Sequence, residues 1–480
     1  SVPAMKSTRP CMTALAALAL ASWAAAAPDA APAAAKNATP SAAPALPQLP
    51  ITQYKLKNGL TVLLSEDHLV PSIATELVYL VGSGHEAPGK TGFAHLFEHL
   101  MFQGSAHFDH DYFTPFEPIG AEVNGNTTPD RTVYYEVVPS QYAELSLWME
   151  SDRMRSLLPA LTQQKLDNQR EVVKNERRQR YEITPYGLSF LHLDTALYPA
   201  DHPYHHSTIG SHEDLTAATL DDVKKFFELY YVPANAGLVV VGDFEVEQMK
   251  GWIDNYFSDM PAGARAPTPT AKRPQLAQDV HWVAEDTIQL PSVYLAWITP
   301  ALFEAGDAEL DLLSNVLTQG KSSRLFNSLV YTKKLAKEVY AYQMSERLNG
   351  AYVIQATAAP GVKLEVLATA LQQELRAALA TPPSDSELVR AKNDYKKAFY
   401  HRLESYESRA DLIGTYFLHT GHGDYMKDDF SRYQTANAID VQNAGKKYLL
   451  EQHSVRLDFV PGSKSTPVKV ISGPTSEVAQ

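Results

Sequence analysis

The sequence contains almost no cysteine, which limits the metal sites that it can build. Cys11 is the only cysteine in 480 residues, and it lies in a leader segment that we expect to be removed from the mature protein. The mature chain then has neither disulfide bonds nor thiolate ligands. A metal site in this chain therefore has to be built from histidine, aspartate and glutamate side chains.

The sequence also lacks an excess of positive charge and, after the leader, any long apolar run. It has 42 Lys and Arg against 55 Asp and Glu, so the formal net charge is −13 at pH 7. Proteins that bind nucleic acids usually carry a basic surface that neutralises phosphates. No later stretch is long and apolar enough to cross a bilayer as a helix. We therefore expect neither nucleic-acid binding nor a membrane span.

The first residues have the pattern of a secretory signal peptide. Lys6 and Arg9 precede a largely apolar run from Met12 to Ala21, and small residues follow at Ala24–Ala27. This order of positive, apolar and small residues is typical of a segment that signal peptidase removes. We predict a signal peptide over residues 1–27 and secretion, to the periplasm of a bacterium. The alternative is a disordered, alanine-rich leader.

Composition and length predict two folded domains joined by a linker. A chain of 480 residues exceeds what one hydrophobic core usually organises. Alanine and proline dominate before residue 50, and four prolines fall between Pro261 and Pro274, both typical of linkers. The predicted boundaries are a linker at 28–49, a first domain at 50–262, a linker at 263–275, a second domain at 276–470 and a tail at 471–480.

The two predicted domains resemble each other in sequence. Helix 93–103 in the first domain matches helix 309–319 in the second at an offset of 216 residues. An offset of 218 relates two further pairs of segments: Lys174–Glu176 with Lys392–Asp394, and Asp222–Val223 with Asp440–Val441. A nearly constant offset over distant segments indicates an internal duplication. We therefore expect two homologous domains.

One helix of the first domain carries a pattern typical of metal-dependent hydrolases. His95 and His99 lie four residues apart, about 40° apart around a helix axis, so both imidazoles can reach one ion. Glu98 can act as a base on water at an open coordination position without binding the metal itself. The alternative is a pair of hydrogen-bonded core histidines, which is disfavoured because the pattern rarely arises by chance. We predict one Zn²⁺ per chain.

The second domain lacks this pattern, so only the first is expected to bind metal. The equivalent repeat positions hold Asp311, Ser314 and Asn315. A catalytic zinc usually has three protein ligands and leaves one position for water. We expect the third ligand to be a carboxylate on a charged helical segment that contains Glu171 and Glu176. Position alone leaves both of them open.

Further motifs surround these residues, and together they resemble a known family. The matching segments are Gly82–Ser83, Glu86, Gly92–His99, Phe102–Ser105, Gly120–Asn124 and Thr132–Glu136. They resemble the inverzincin metallopeptidases related to pitrilysin, insulin-degrading enzyme and the mitochondrial processing peptidase, in particular short bacterial periplasmic members. The resemblance extends from about residue 51 to 462. The family's third zinc ligand is a glutamate whose spacing falls on Glu176 and not on Glu171.

The resemblance also implies a fold and a mode of substrate binding. It implies an α+β protein with two homologous domains, each a mainly antiparallel sheet covered by helices, arranged as a clamshell. Substrates of the family pair as an added strand with an exposed sheet edge, which matches Asn124, Gly125 and Asn126 here. Backbone pairing selects extended shape more than sequence, so the expected substrates are unfolded peptides.

One departure from the family concerns the second domain. Self-sufficient members have an arginine there and, seven residues later, a tyrosine that bind the substrate carbonyl, but this chain has Val330 and Lys337. Arg324 and Tyr331 share the spacing, but Arg324 belongs to a preceding helix start, so we do not expect this pair to substitute. We predict a zinc metalloendopeptidase that works in a heterodimer with a homologous subunit supplying these two side chains. The alternative is a non-catalytic scaffold or substrate-presenting subunit.

Overall fold

Two six-stranded sheets that share the order of five strands form the framework of the protein. The computed structural model describes residues 46–464 and 468–469. In the first half the strands are β1 Thr52–Lys55, β2 Thr61–Glu66, β3 Ser72–Tyr79, β4 Glu122–Thr127, β5 Thr132–Pro139 and β6 Ala236–Gly242. In the second half they are β7 Val280–Asp286, β8 Ser292–Thr299, β9 Ala336–Ser345, β10 Gly350–Ala358, β11 Val455–Pro461 and β12 Val468–Lys469.

The order of five of the six strands repeats from one sheet to the other. The first sheet runs β1-β2-β6-β3-β5-β4, and the second runs β12-β7-β11-β8-β10-β9. Within the described strands, β2 with β6 and β7 with β11 pair in parallel, and the other neighbours pair antiparallel. Strands β2 to β6 thus have counterparts in β7 to β11, whereas the edge strand is the first of its half in one sheet, β1, and the last of its half in the other, β12. The predicted α+β fold of two homologous halves with mainly antiparallel sheets is confirmed.

Helices cover both sheets, and they also repeat. The first half contains α1 Phe93–Leu100, α2 Ala143–Ala160, α3 Gln163–Arg177, α4 Ser189–Leu197, α5 His212–Ala217, α6 Leu220–Tyr230 and α7 Val246–Phe257. The second half contains α8 Asp307–Thr318, α9 Arg324–Phe326, α10 Leu364–Ala380, α11 Asp385–Arg402, α12 Tyr406–Thr420, α13 Met426–Thr435 and α14 Ala438–Leu449. Short π-helices follow α3 and α9, at Arg178–Glu182 and Asn327–Thr332. Among the described helices, none combines the length and apolar character that a bilayer crossing requires.

Each half contributes one helix to the core of the other half. Ile413 of α12 packs with Leu63 and Val78 of the first sheet, whereas Leu193 of α4 packs with Tyr294 of the second sheet. The two halves therefore share their cores although they are consecutive in sequence. The predicted linker at 263–275 contains no helix or strand. The predicted signal peptide at 1–27, most of the linker at 28–49 and the tail at 471–480 lie outside the described residues.

The helix α1 is buried on nearly all sides, because apolar side chains cover most of its faces. Phe93, Leu96, Phe97 and Leu100 are at most 3% exposed. The ring of Phe97 lies 4.5 Å from that of Tyr231. These contacts fix the rotation of α1 and therefore the direction in which its polar side chains point.

A buried group of charges lies in the core of the first half. The guanidinium of Arg153 donates to Glu150 at 2.8 Å and lies 3.2 Å from a carboxylate oxygen of Glu136. It also lies over the rings of Tyr112 and Tyr134, at 4.1 and 4.4 Å from their centres. Arg153 is 1% exposed. The ion pairs and the aromatic faces together compensate the loss of its hydration.

Candidate metal centre

The amino end of α1 is fixed by a buried carboxylate. Glu86 accepts hydrogen bonds from the backbone N–H groups of Gly92, at 2.8 Å, and Ala94, at 2.7 Å, and so satisfies donors that a helix start leaves free. Gly92 has a φ of 86°, and a Cβ there would lie 2.8 Å from the carbonyl oxygen of Ile209. Glycine is therefore required where the helix begins.

Three predicted side chains meet at one point beside this helix. The Nε2 atoms of His95 and His99 lie 3.7 and 3.2 Å from the same oxygen, Oε2 of Glu176. One ligand atom from each residue lies within 4.8 Å of the other two, and no other such group occurs among the described residues. Ligand atoms around a tetrahedral zinc lie roughly 3.3 Å apart, given bond lengths of about 2.0–2.2 Å. The three residues therefore fit a zinc ion in both chemistry and spacing.

Of the two candidate carboxylates, only Glu176 reaches the histidines. Glu171 is exposed on the same helix, α3, where it pairs with Lys174 at 2.8 Å. The two glutamates are five residues apart, which places them about 140° apart around the helix axis. When one of these glutamates faces α1, the other therefore faces solvent.

The surroundings favour the protonation states that bind a cation. Burial, and then the neighbouring His99, lower the pKa of His95 to about 4, which keeps its imidazole neutral near pH 7. Burial alone would raise the pKa of Glu176, but the hydrogen bond from His99 and the electrostatic effects of His95, His99 and Arg180 lower it. A neutral imidazole and an ionised carboxylate are the forms that coordinate zinc.

Glu98 lies beside the three candidate ligands and is held from the neighbouring sheet. Its Oε2 accepts a hydrogen bond of 2.6 Å from Oγ1 of Thr127, the last residue of β4. Burial raises the pKa of Glu98, although the hydrogen bond from Thr127 opposes this effect. A Cβ on Gly125 would lie 3.2 Å from Cγ of Glu98, so the small residue leaves room for the carboxylate.

The predicted substrate-binding residues lie on the outermost strand of the first sheet. Asn124, Gly125 and Asn126 belong to β4, which pairs with β5 on one side and has no strand partner on the other among the described residues. The structure thus brings an open strand edge next to Glu98. Binding of a substrate strand at this edge remains a prediction.

In the second half, Arg324 is fully engaged in structural contacts. It donates to both carboxylate oxygens of Glu387, at 2.8 and 2.7 Å, and to the carbonyl oxygens of Thr381 and Pro382. Tyr331 is 46% exposed and packs against another ring, that of Phe326. This arrangement agrees with the expectation that Arg324 and Tyr331 do not form a substrate-binding pair.

Two neighbours of the candidate ligands were not anticipated from the sequence. Thr127 positions Glu98, as described, and Nη1 of Arg180 lies 2.8 Å from Oε1 of Glu176, the oxygen that faces away from the histidines. The Glu–Arg spacing of four residues is a helical pairing signal that could have identified Arg180. The approach of Thr127 depends on how β4 packs against α1, which no local pattern reveals.

Comparison with known proteins identifies relatives over most of the chain. The family model "Insulinase (Peptidase family M16)" matches residues 61–203, and "Peptidase M16 inactive domain" matches residues 217–395. The chain is 31% identical over 418 residues to "Zinc protease PqqE" of Helicobacter pylori, covering 85% of this chain and 92% of that protein. It is 23% identical over 425 residues to the mitochondrial-processing peptidase subunit beta of Lentinula edodes, covering 84% and 88%.

A solved structure shares the same overall fold. The crystal structure of a protease from Helicobacter pylori superposes with a TM-score of 0.81 at 28% sequence identity. The match covers 86% of this chain and all of the other chain. The similarity therefore includes both halves of the protein.

Proposed function

This chain belongs to the insulinase family of peptidases, M16, and on that premise we propose that it is a zinc metalloendopeptidase. The names of its relatives support a metallopeptidase. The observation that carries the finer proposal is the meeting of His95, His99 and Glu176 within 4.8 Å of one another, with Glu98 on the same helix as both histidines. A set of core histidines would not need two neighbouring carboxylates.

We assign His95, His99 and Glu176 as the residues that would hold the zinc ion. When bound there, zinc would supply Lewis acidity, which polarises a carbonyl group and acidifies water. The protein contributes two neutral imidazoles and one carboxylate, a donor set that is common in catalytic zinc sites. The burial of these side chains excludes bulk water and strengthens their interactions with charge.

Glu98 is the proposed general base and acid. Its Oε2 is held by Thr127, which leaves Oε1 to take a proton from the water that attacks the scissile carbonyl. The water oxygen forms the new C–O bond, the C–N bond breaks, and the proton moves from Oε1 of Glu98 to the leaving amine. The raised pKa of Glu98 makes its carboxylate a better proton acceptor than an exposed glutamate.

The proposed substrates are unfolded peptides that pair with β4. Its open edge at Asn124–Asn126 can bind an extended backbone through main-chain hydrogen bonds. Such a strand would run past Glu98, because Gly125 and Thr127 both lie next to that side chain. This placement would bring a scissile carbonyl within reach of the candidate metal centre.

The proposed active form is a heterodimer with a homologous subunit. Val330 and Lys337 occupy the positions where the family resemblance implies an arginine and a tyrosine, and Arg324 is engaged with Glu387. A partner subunit would supply these donors to the substrate carbonyl, and loss of one such donor typically costs roughly 10²–10³-fold in rate. We expect the complex to cleave peptides faster than the chain alone. Equal rates would contradict this part of the proposal.

We also propose that the protein acts in the periplasm of a bacterium. The proposal rests on the pattern of residues 1–27, which lie outside the described part of the chain. Amino-terminal sequencing of exported protein tests it, because a chain that retains these residues would contradict removal of a signal peptide.

The test of the chemistry is Glu98→Gln in the full chain. The amide keeps the shape of the side chain but cannot accept the proton, so peptidase activity should fall by roughly 10²–10⁴-fold, the usual contribution of a general base. Zinc content should stay at that of the wild type, because Glu98 is not a proposed ligand. The matched control is Ser314→Ala, at the repeat position of Glu98 in the second half, which should leave activity unchanged.

The same experiment separates the enzyme from the scaffold interpretation. A non-catalytic subunit would show the same low activity for the wild type and for Glu98→Gln, alone and with a co-expressed homologous subunit. Activity that disappears only in the Glu98 variant supports the peptidase.

A further inference from the structure

Glu176 presents its two carboxylate oxygens to different partners. Oε2 faces Nε2 of His95 and Nε2 of His99, and Oε1 lies 2.8 Å from Nη1 of Arg180. Within the described residues, no other cation contacts Oε1. The side chain of Glu176 is 16% exposed, whereas that of Arg180 is 62% exposed. A mostly buried ligand is thus held from the outside by a cation at the surface.

The neighbouring arginines do not share this role. Arg177 pairs with Glu182 at 3.0 Å, and Arg178 donates to Asn175 at 2.5 Å. Among the described residues, the ion pair of Arg180 is with Glu176. The pairing is therefore specific to one of the three arginines that follow the candidate ligand.

The backbone changes its winding at this point. α3 ends at Arg177, and a π-helix runs from Arg178 to Glu182, where the N–H of Ile183 donates to the carbonyl oxygen of Arg178 at 2.9 Å. π-Helices are rare and occur often at functional sites. Arg180 lies in the middle of this turn.

The second half has an equivalent helix at this place, but it lacks the π-helix and the arginine. Asp394 occupies the repeat position of Glu176, and α11 continues as an α-helix to Arg402. At the offset of 218, the position of Arg180 holds Ala398. The second half, which has no histidine pair, thus also lacks a π-helix after Asp394 and an arginine four residues beyond it.

We infer that Arg180 is a positioning residue that holds Glu176 with one oxygen toward the metal. The inference rests on the proposed zinc site. The charged contact between Nη1 of Arg180 and Oε1 of Glu176 can hold that oxygen in place and so prevent the side chain from turning both oxygens toward the ion or away from it. Partners that hold a metal ligand in this way typically contribute roughly 10–100-fold to metal affinity.

The test is the zinc affinity of the full chain, measured by competition with a chromogenic chelator. Arg180→Gln should bind zinc roughly 10–100-fold more weakly than the wild type. Arg180→Lys should fall between them, because an ammonium keeps the charge but lacks the planar fork. The matched control is Arg178→Gln, which removes a similar exposed arginine that pairs with Asn175. It should bind zinc as tightly as the wild type.

Thermal unfolding of the metal-free proteins separates positioning from stability. Arg180→Gln and Arg178→Gln should unfold at the same temperature, since both side chains are at the surface. Equal zinc affinity of Arg180→Gln and the wild type would overturn the inference. An equal loss of affinity in both variants would also overturn it.

Peptide cleavage at saturating zinc gives a second, independent measurement. If Arg180 acts only through Glu176, saturating zinc should restore the activity of Arg180→Gln. Activity that stays low at saturating zinc would show that Arg180 acts on the substrate and would overturn the inference. If the wild-type chain binds zinc, Arg180→Gln binds it more weakly, and the wild type cleaves no peptide, the result would support the Arg180 role and contradict the proposed peptidase. A wild-type chain without zinc affinity would overturn both.

Discussion

The same helix position serves two different purposes in the two halves of this protein. In the first half, three side chains on α1 and α3 point toward a common centre, and their ligand atoms are within 4.8 Å of one another. In the second half, the equivalent side chains of α8 and α11 form hydrogen bonds within the protein instead. Nδ2 of Asn315 donates to Asp394 at 2.8 Å, and the hydroxyl of Tyr433 donates to Asp311 at 2.6 Å.

The comparison shows that the scaffold does not by itself make a metal site. The first half packs α1 against α3, and the second half packs α8 against α11, so the close approach of the side chains is a property of the fold. An imidazole nitrogen can coordinate a cation, whereas the amide nitrogen of Asn315 can only donate hydrogen bonds, and it donates to Asp394. At the repeat position of His99, Asn315 therefore replaces a candidate metal ligand with a hydrogen-bond donor to Asp394.

The core of the first half differs from that of the second in its buried charges, and this yields the largest expected effect. Ile354 of the second half occupies the repeat position of Glu136. Arg153→Met leaves Glu136 and Glu150 buried without their cation, which should lower the free energy of unfolding by roughly 3–5 kcal/mol. Chemical denaturation of the metal-free protein measures this loss.

The matched control for this prediction is Arg155→Met. Arg155 is 38% exposed in its side chain and pairs with the exposed Asp259. Loss of an exposed ion pair typically costs about 0–1 kcal/mol. Similar losses for Arg153→Met and Arg155→Met would contradict the role assigned to the buried cluster.

The next largest effect compares the two equivalent carboxylates directly. Glu176→Gln should weaken zinc binding by at least the roughly 10–100-fold that loss of a ligand's supporting partner costs. Asp394→Asn should leave zinc binding unchanged, because the second half is not proposed to bind metal. Chelator competition on both variants measures the difference. Comparable losses in the two variants would show that the metal centre has been assigned to the wrong residues.

Much of the fold follows from sequence because repetition and local pattern agree. The helices predicted at 93–103 and 309–319 are α1 and α8, with ends within a few residues of the prediction. The offset of 216 to 218 residues predicted two homologous halves, and the two strand orders confirm them. The exchange of α4 and α12 between the cores could not be predicted, because an apolar helix face does not specify which sheet it covers.

The candidate site was predictable where spacing along one helix determines proximity. His95, Glu98 and His99 share one turn, so their neighbourhood follows from helix geometry. Glu176 depended on the family resemblance, since residue pattern alone left Glu171 open. Thr127 has no such local signature, because its approach depends on how β4 packs against α1, whereas the four-residue spacing of Glu176 and Arg180 is a local signal from which their contact could have been predicted.

The remaining prediction concerns the charge state at one repeat position. Burial disfavours charge in both halves: it lowers the pKa of His95 to about 4 and, with help from Asp307, raises the pKa of Asp311 to about 7. Both side chains are therefore mostly neutral near pH 6, although one is a base and the other an acid.

For Asp311, the raised pKa predicts a defined dependence of stability on pH. Its folded-state pKa exceeds the ordinary value of 3.8, so its contribution is fully present below about pH 4 and is lost as the pH rises through about 7. Within that window the loss is about 1 kcal/mol per pH unit. Asp311→Asn cannot ionise, so its stability relative to the wild type should rise from pH 5 to pH 7 and then level off. Urea denaturation across this range measures the change.

A second variant tests whether the proposed group is responsible. The hydroxyl of Tyr433 donates to Asp311 and lowers its pKa, so Tyr433→Phe should move the stability loss to higher pH. In the double variant with Asp311→Asn, this shift should vanish, since no ionisable group remains at position 311. A constant stability difference between Asp311→Asn and the wild type from pH 5 to pH 8 would exclude Asp311 as the titrating group. The two halves would then differ in hydrogen bonding at this position and not in how burial controls charge.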